Sequence, residues 1–354
     1  MTYSIEEVLL PLDYAPLSVR QDAPFTQQWF YGEWQKSMGR NVVRFRILKD
    51  AVPSGFFQAI KYPLLFGRSY LYIPHGPVIN EPVEGGISLL LREKLSLMAA
   101  RENAAFVRCD PFPIQKPEGF RSAPLATYYG AYFQSKYDWV LDISPDEKQL
   151  LAAMHQKTRY SINYALRQEL ELSEITGSEL MSHFESFYAL MKETADRGKF
   201  GLHPKVYYKA IFESAKNDLN IVLFTASFKG LLLATHLVLF SGTVAYYPFG
   251  ASTREHSNLL APYALHWRAV LEGKRRGCRW YNFGAIEEGA LVHEHWAGIS
   301  IFKRKFGGEI LEYSDFFDVV TQPLWYYLYV LRKKIKGIYP RASPGPKFRG
   351  RAAG

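Results

Sequence analysis

The apolar positions of this chain follow two periods, and they switch between them in the same order twice. Asn41 to Leu48 alternates apolar and polar residues as a strand does, Phe56 to Tyr62 is a second strand candidate, and Tyr70 to Ile79 is a third, interrupted by Pro and Gly. Gly86 to Asn103 carries Leu90, Leu91, Leu95 and Met98 at helical spacing, and Ala105 to Cys109 follows as a strand ending at Asp110-Pro111. Later, Asn220 to Phe228 and Leu231 to Phe240 read as strands joined by a tight Lys229-Gly230 turn, with Val244 to Gly250 as the next strand. Asn258 to Arg276 is then a helix with Leu260, Tyr263, Trp267 and Leu271 on one face, and Arg279 to Phe283 a strand ending at Gly284. Strand, strand, strand, helix, strand thus occurs twice, which predicts an internal repeat of two α/β halves.

Between the halves, Asp146 to Leu170 places Leu151, Met154, Thr158, Ile162 and Ala165 on one helical stripe, with His155, Arg159, Asn163 and Arg167 in a row beside it. The row serves equally as a solvated face or as an anion-holding surface, with Arg159 a fork-shaped partner for phosphate or carboxylate. Glu179 to Asp196 and Pro204 to Lys216 are two further helices around a Gly- and charge-rich loop. Two helices, a long hairpin, then strand, helix and strand is the element order of the GNAT acyltransferase fold. The expected fold class is α/β: two tandem GNAT-like domains with mixed, mostly antiparallel sheets flanked by helices. The expected bounds are 1–145 for the first domain, 146–170 for a connecting basic helix, 171–338 for the second domain with a C-terminal helix, and 339–354 for a disordered basic tail.

Composition narrows the possibilities. With 48% hydrophobic residues, 24 Tyr, 24 Phe and 7 Trp, 354 residues can bury two cores. The two cysteines, Cys109 and Cys278, have no metal spacing, so a reducing compartment, no metal and no cofactor are expected. No apolar run is long enough to span a bilayer, and the N-terminus lacks the pattern of a signal peptide. The net charge of +9 is a property of the tail: after Asp318 come eight Lys or Arg and no acid, which leaves the body nearly neutral and argues against a general nucleic-acid surface. Pro323 to Ile338 has one apolar face and late Lys and Arg, consistent with a docked final helix or with one lying on a membrane surface.

The candidate chemistry centres on AGISIFKRKFGGE, residues 297–309. Ile299, Phe302 and Phe306 share a helical face, three cations follow one another, and Gly307-Gly308 ends the helix. Together with QKTRYSINYA, RGKFGLHP, APYALHW and YNFGAIEE, all in order, it resembles the FemABX peptidoglycan peptidyltransferases, over roughly Phe25 to Leu331 and in the compact form without a coiled-coil arm. The resemblance implies a bacterial cytoplasmic enzyme, in contact with the membrane at most peripherally through its basic C-terminus. It implies transfer of an amino acid from aminoacyl-tRNA to the stem peptide of a UDP- or lipid-linked muropeptide; a GNAT-like transferase using acyl-CoA is the alternative. By resemblance Lys303 stabilises the oxyanion or acyl donor. Lys36 matches a diphosphate contact, and His203 stands where the family has an Arg for the second. Tyr207, Tyr247 and Phe249 match aromatic substrate contacts. Asp110 matches an acidic position, a candidate base that serves equally well as a turn-capping Asp before Pro.

Overall fold

The structure, a computed structural model, describes residues 2–80, 85–110, 134–288 and 297–338. Its first half runs β1 (Tyr3–Glu7), α1 (Pro16–Val19), α2 (Trp29–Ser37), β2 (Val42–Lys49), β3 (Val52–Pro63), β4 (Ser69–Ile73), β5 (Val78–Ile79), α3 (Gly85–Arg101) and β6 (Ala104–Cys109). Then come β7 (Tyr137–Asp142), α4 (Glu147–Ala153), α5 (Gln156–Ala165), β8 (Glu171–Thr176), α6 (Phe184–Gly198), α7 (Lys205–Ser214), β9 (Ile221–Phe228), β10 (Leu231–Ser241) and β11 (Val244–Ser252). The chain closes with α8 (Ala261–Arg275), β12 (Trp280–Ala285), α9 (Ala297–Arg304), β13 (Glu309–Glu312), β14 (Phe317–Val320) and α10 (Pro323–Ile338).

The expected repeat is present. Among the described residues, each half is built around one seven-stranded sheet, ordered β1-β2-β3-β4-β6-β14, with β5 on β3, and β13-β7-β12-β11-β10-β9-β8. In each, an antiparallel run leads into a crossover helix and a single parallel pair, β4 with β6 and β11 with β12. The β9–β10 hairpin turns through Lys229 (φ 52) and Gly230 (φ 79), the left-handed pair that matches strand twist.

The expected bounds differ from the sheets. Strand β7, placed in the first domain by sequence, pairs with β12 and β13 in the second sheet, while β14 and α10, placed in the second, belong to the first. Each half's sheet is therefore completed by a strand that follows the other half's last parallel strand. Arg108 on β6 and Asp318 on β14, neighbours in register, form a buried ion pair at 2.7 Å across that join. The connecting segment is two helices: Asp146 and Gln149 make a capping box that starts α4, Met154 is extended, and His155 caps α5. Its apolar stripe is buried as expected, with Met154 at 3% and Ile162 at 0% exposure. The tail at 339–354 lies outside the described residues. One hydrophobic cluster joins Tyr31, Trp34 and Met38 of the first half to Phe187, Tyr208 and Phe212 of the second, so the two halves share a core.

Candidate active site

The second sheet opens where its parallel pair ends. Strands β11 and β12 are in register at Val244–Trp280, Ala245–Tyr281 and Tyr246–Asn282, and then diverge. Gly284 (φ 75) turns the end of β12, and the Asn282 side chain accepts a hydrogen bond from its N–H at 2.6 Å. Helix α9 covers this opening. Phe302 and Phe306 pack on Tyr263 and His266, which sends Lys303, between them, inward. Gly308 (φ 103) then turns the chain into β13; a Cβ there would sit 2.2 Å from Val140 O, so the position admits only glycine.

Lys303 is 7% exposed and donates to Ala285 O at 2.6 Å. Burial holds its ammonium down to about 8, while the Asp138 carboxylate pulls the other way. Asp138, on β7, accepts hydrogen bonds from Asn282 Nδ2 at 2.8 Å, from Tyr313 OH at 3.0 Å and from Ser135 Oγ. His75 of the first half stacks on Tyr313, ring centres 4.6 Å apart, and burial pushes its imidazole down to about 4. These groups line a cavity of about 520 Å³ between the halves, walled by Trp34 and Tyr31 on one side and by His203, Tyr207, Tyr247 and Phe249 on the other.

Of the residues singled out by sequence, Lys303, His203, Tyr207, Tyr247 and Phe249 come together here. His203 stacks on Tyr207 at 4.1 Å, and burial together with the nearby Arg40 lowers its pKa. The Tyr247 ring lies 4.6 Å from the rings of both His236 and His266, two buried imidazoles that burial keeps neutral. Three residues stand apart from the lining. Lys36 is exposed on α2 and paired with Glu33 at 3.0 Å. Arg159 turns its guanidinium onto Leu151 O and Ala152 O, both 3.3 Å away, and so caps α4 rather than facing an anion. Asp110 is buried behind Tyr72, whose hydroxyl donates to it, and burial raises its carboxyl to about 7. Sequence reasoning passed over Asp138, His75 and Arg40. The only signal for Asp138 was a carboxylate inside the apolar strand YDWVL; the other two carry none.

A FemAB family sequence model matches residues 118–232 and 225–334, more than half the chain and all of the Lys303 side of the cavity. The chain belongs to the FemAB family. Among related sequences, the lipid II:glycine glycyltransferase of Staphylococcus haemolyticus (strain JCSC1435) is 20% identical over 72% of this chain and 78% of its own length. That of Staphylococcus aureus (strain USA300) is 21% identical over 83% and 88%. The crystal structure of FemX superposes with a TM-score of 0.79 at 17% identity, covering 93% of this chain and 99% of FemX, and a tandem GNAT protein from the clavulanic acid biosynthesis pathway reaches 0.50 at 12% identity over 90% and 98%. The α/β architecture of two GNAT-like units is thereby that of the FemAB family.

Proposed function

We propose that this protein transfers an aminoacyl group from aminoacyl-tRNA to the amino group of a stem peptide in a lipid-linked peptidoglycan precursor. The observation that carries it is the buried Lys303 ammonium in the open end of the second sheet, facing a cavity large enough for two substrates' reacting ends. The names of its staphylococcal relatives support a lipid-linked acceptor. The amine attacks the ester carbonyl, a C–N bond forms, the C–O bond to the ribose breaks, and one proton leaves the amine for the departing oxygen or solvent. Among the described residues, one of the three N–H donors of Lys303 is given to Ala285 O, so the others are available to the oxyanion. His203, Tyr207, Tyr247 and Phe249 form the aromatic wall for the acceptor, with Lys36 and Arg40 as cations outside it.

An acyl-CoA donor is less well served. Helix α8, which opens beside the cavity, starts at Ala261-Pro262 with Leu260 at φ 56, offering no Gly-rich cradle and one N–H fewer for a pyrophosphate. The test is incubation of the purified protein with charged tRNA pools or acyl-CoA, and with UDP- or lipid-linked muropeptides, followed by mass analysis. A gain of one aminoacyl mass on the lipid-linked muropeptide, dependent on charged tRNA and absent with Lys303→Ala, supports the proposal. Product with acyl-CoA alone overturns the donor assignment.

A further inference from the structure

Helix α10 has two apolar faces. Tyr326 and Val330, 3% and 7% exposed, pack with Tyr329 on Tyr70 and Phe106 of the first sheet. On the other side, Leu324 (69%), Tyr327 (64%), Leu328 (47%), Leu331 (54%) and Ile335 (52%) stand outward in one continuous stripe. At 3.6 residues per turn, the exposed Arg332 and Lys334 fall about 80° to either side of that stripe. Phe66, 81% exposed and in contact with Trp325, adds apolar surface at the N-terminal end of the helix. No acidic residue occurs from Pro323 to Ile338, so a second copy of the same helix brings no counter-charge to these cations. The helix is 16 residues long, and no described helix is long and apolar enough to cross a membrane.

We propose that the outward face of α10, with Phe66, is a membrane-contacting surface that lies along the headgroup region of an anionic bilayer. Docking and membrane contact, which compete when only the sequence is read, use opposite sides of the same helix. The leucines enter the acyl boundary while Arg332 and Lys334 meet lipid phosphates. This surface stands independently of the transfer chemistry, because its residues are outside the cavity lining.

The full-length protein is mixed with vesicles of phosphatidylglycerol and phosphatidylcholine, or of phosphatidylcholine alone, and the bound fraction is read by sedimentation. Binding to the anionic vesicles that weakens with salt, and that drops about tenfold or more in Leu328→Glu/Leu331→Glu, is expected. Phe66→Ser and Lys334→Glu should each weaken it less. All these positions are exposed, so unchanged circular dichroism and melting are expected; should the double variant unfold, the two single variants carry the test. Activity on a soluble muropeptide should persist in every variant, which separates failure of this surface from failure of the transfer assignment. Three results overturn the proposal: no binding by the unaltered protein, binding insensitive to the stripe but lost on truncation after Ile338, or a dimer in light scattering that the same substitutions dissociate while vesicles go unbound.

Discussion

The ends of the two parallel strand pairs are built from the same strand order and hold opposite contents. In the first sheet, past the Ile73–Cys109 pairing, Pro74 O accepts hydrogen bonds from Gln27 Nε2 at 2.7 Å and Thr26 Oγ1 at 3.1 Å, and Gln27 Oε1 accepts from Gln58 N at 2.9 Å. Neutral side chains from the segment before α2 thus satisfy backbone and side-chain groups at this end of the first sheet, beside the buried Asp110. In the second sheet the corresponding space receives a cation, Lys303, bonded to one carbonyl and under the electrostatic influence of Asp138, a carboxylate that is itself fixed by three hydrogen-bonded neighbours. A cluster of satisfied amides stabilises; a desolvated ammonium costs stability and is useful where negative charge develops. The comparison teaches that the repeated strand order supplied two similar ends, and that side-chain chemistry laid hydrogen-bonded amides against one and a buried ammonium in the other.

The largest break in this comparison should come from Lys303→Ala or Lys303→Met. Either is expected to lower kcat by about 100- to 1000-fold, while the Met variant melts no lower than the parent because a buried charge is gone; an active Met variant would remove Lys303 from the chemistry. Next, a Cβ at Gly250 would come 1.9 Å from Tyr247 OH, so Gly250→Ala should displace that ring and cost about tenfold in kcat/KM, given how steeply rates fall with misplacement. Asp138→Asn tests the electrostatics. In the proposed mechanism Lys303 acts as the ammonium, which burial holds down to about 8, so activity should fall as pH rises through that value. Without the Asp138 carboxylate the falling limb should move to lower pH by about one unit; an unmoved limb would separate Asp138 from Lys303. The smallest effect on chemistry belongs to the amide cluster at the end of the first sheet. Gln27→Ala orphans buried groups and should cost about 1–3 kcal/mol of stability in urea unfolding, with turnover per folded molecule unchanged.

Much of the fold was legible. Periodicity placed β2, β3, β6, β9 to β12, α3, α7 and α8 within a few residues, because each has one buried face and a strong period. It did not find β1, β7, β8, β13 or β14. Strand β7 is short and lies between β13 and β12, and its YDWVLD lacks a clean alternation; β13 is a four-residue edge strand that is mostly exposed. In the candidate site, Lys303 was singled out by the resemblance of its FK segment; the spacing of Phe302 and Phe306 predicted an apolar helix face but did not say which of three adjacent cations faces inward. Arg159 was misplaced because a row of polar residues on a helix marks the side away from the core and nothing more; its guanidinium found the carbonyl end of α4 nearby.

By itself the amino-acid order determined the strongly periodic elements, their repetition and the Gly-ended turn after the FK segment, since these depend on periods and backbone freedom within a few residues. Only the tertiary structure decided that β7 and β14 cross to the other half's sheet, and that Asp138 and His75 from distant segments line one cavity with Lys303. Side-chain periodicity tells a strand which face is buried but not which strand lies beside it, and long-range pairing is settled by the packing of the whole chain.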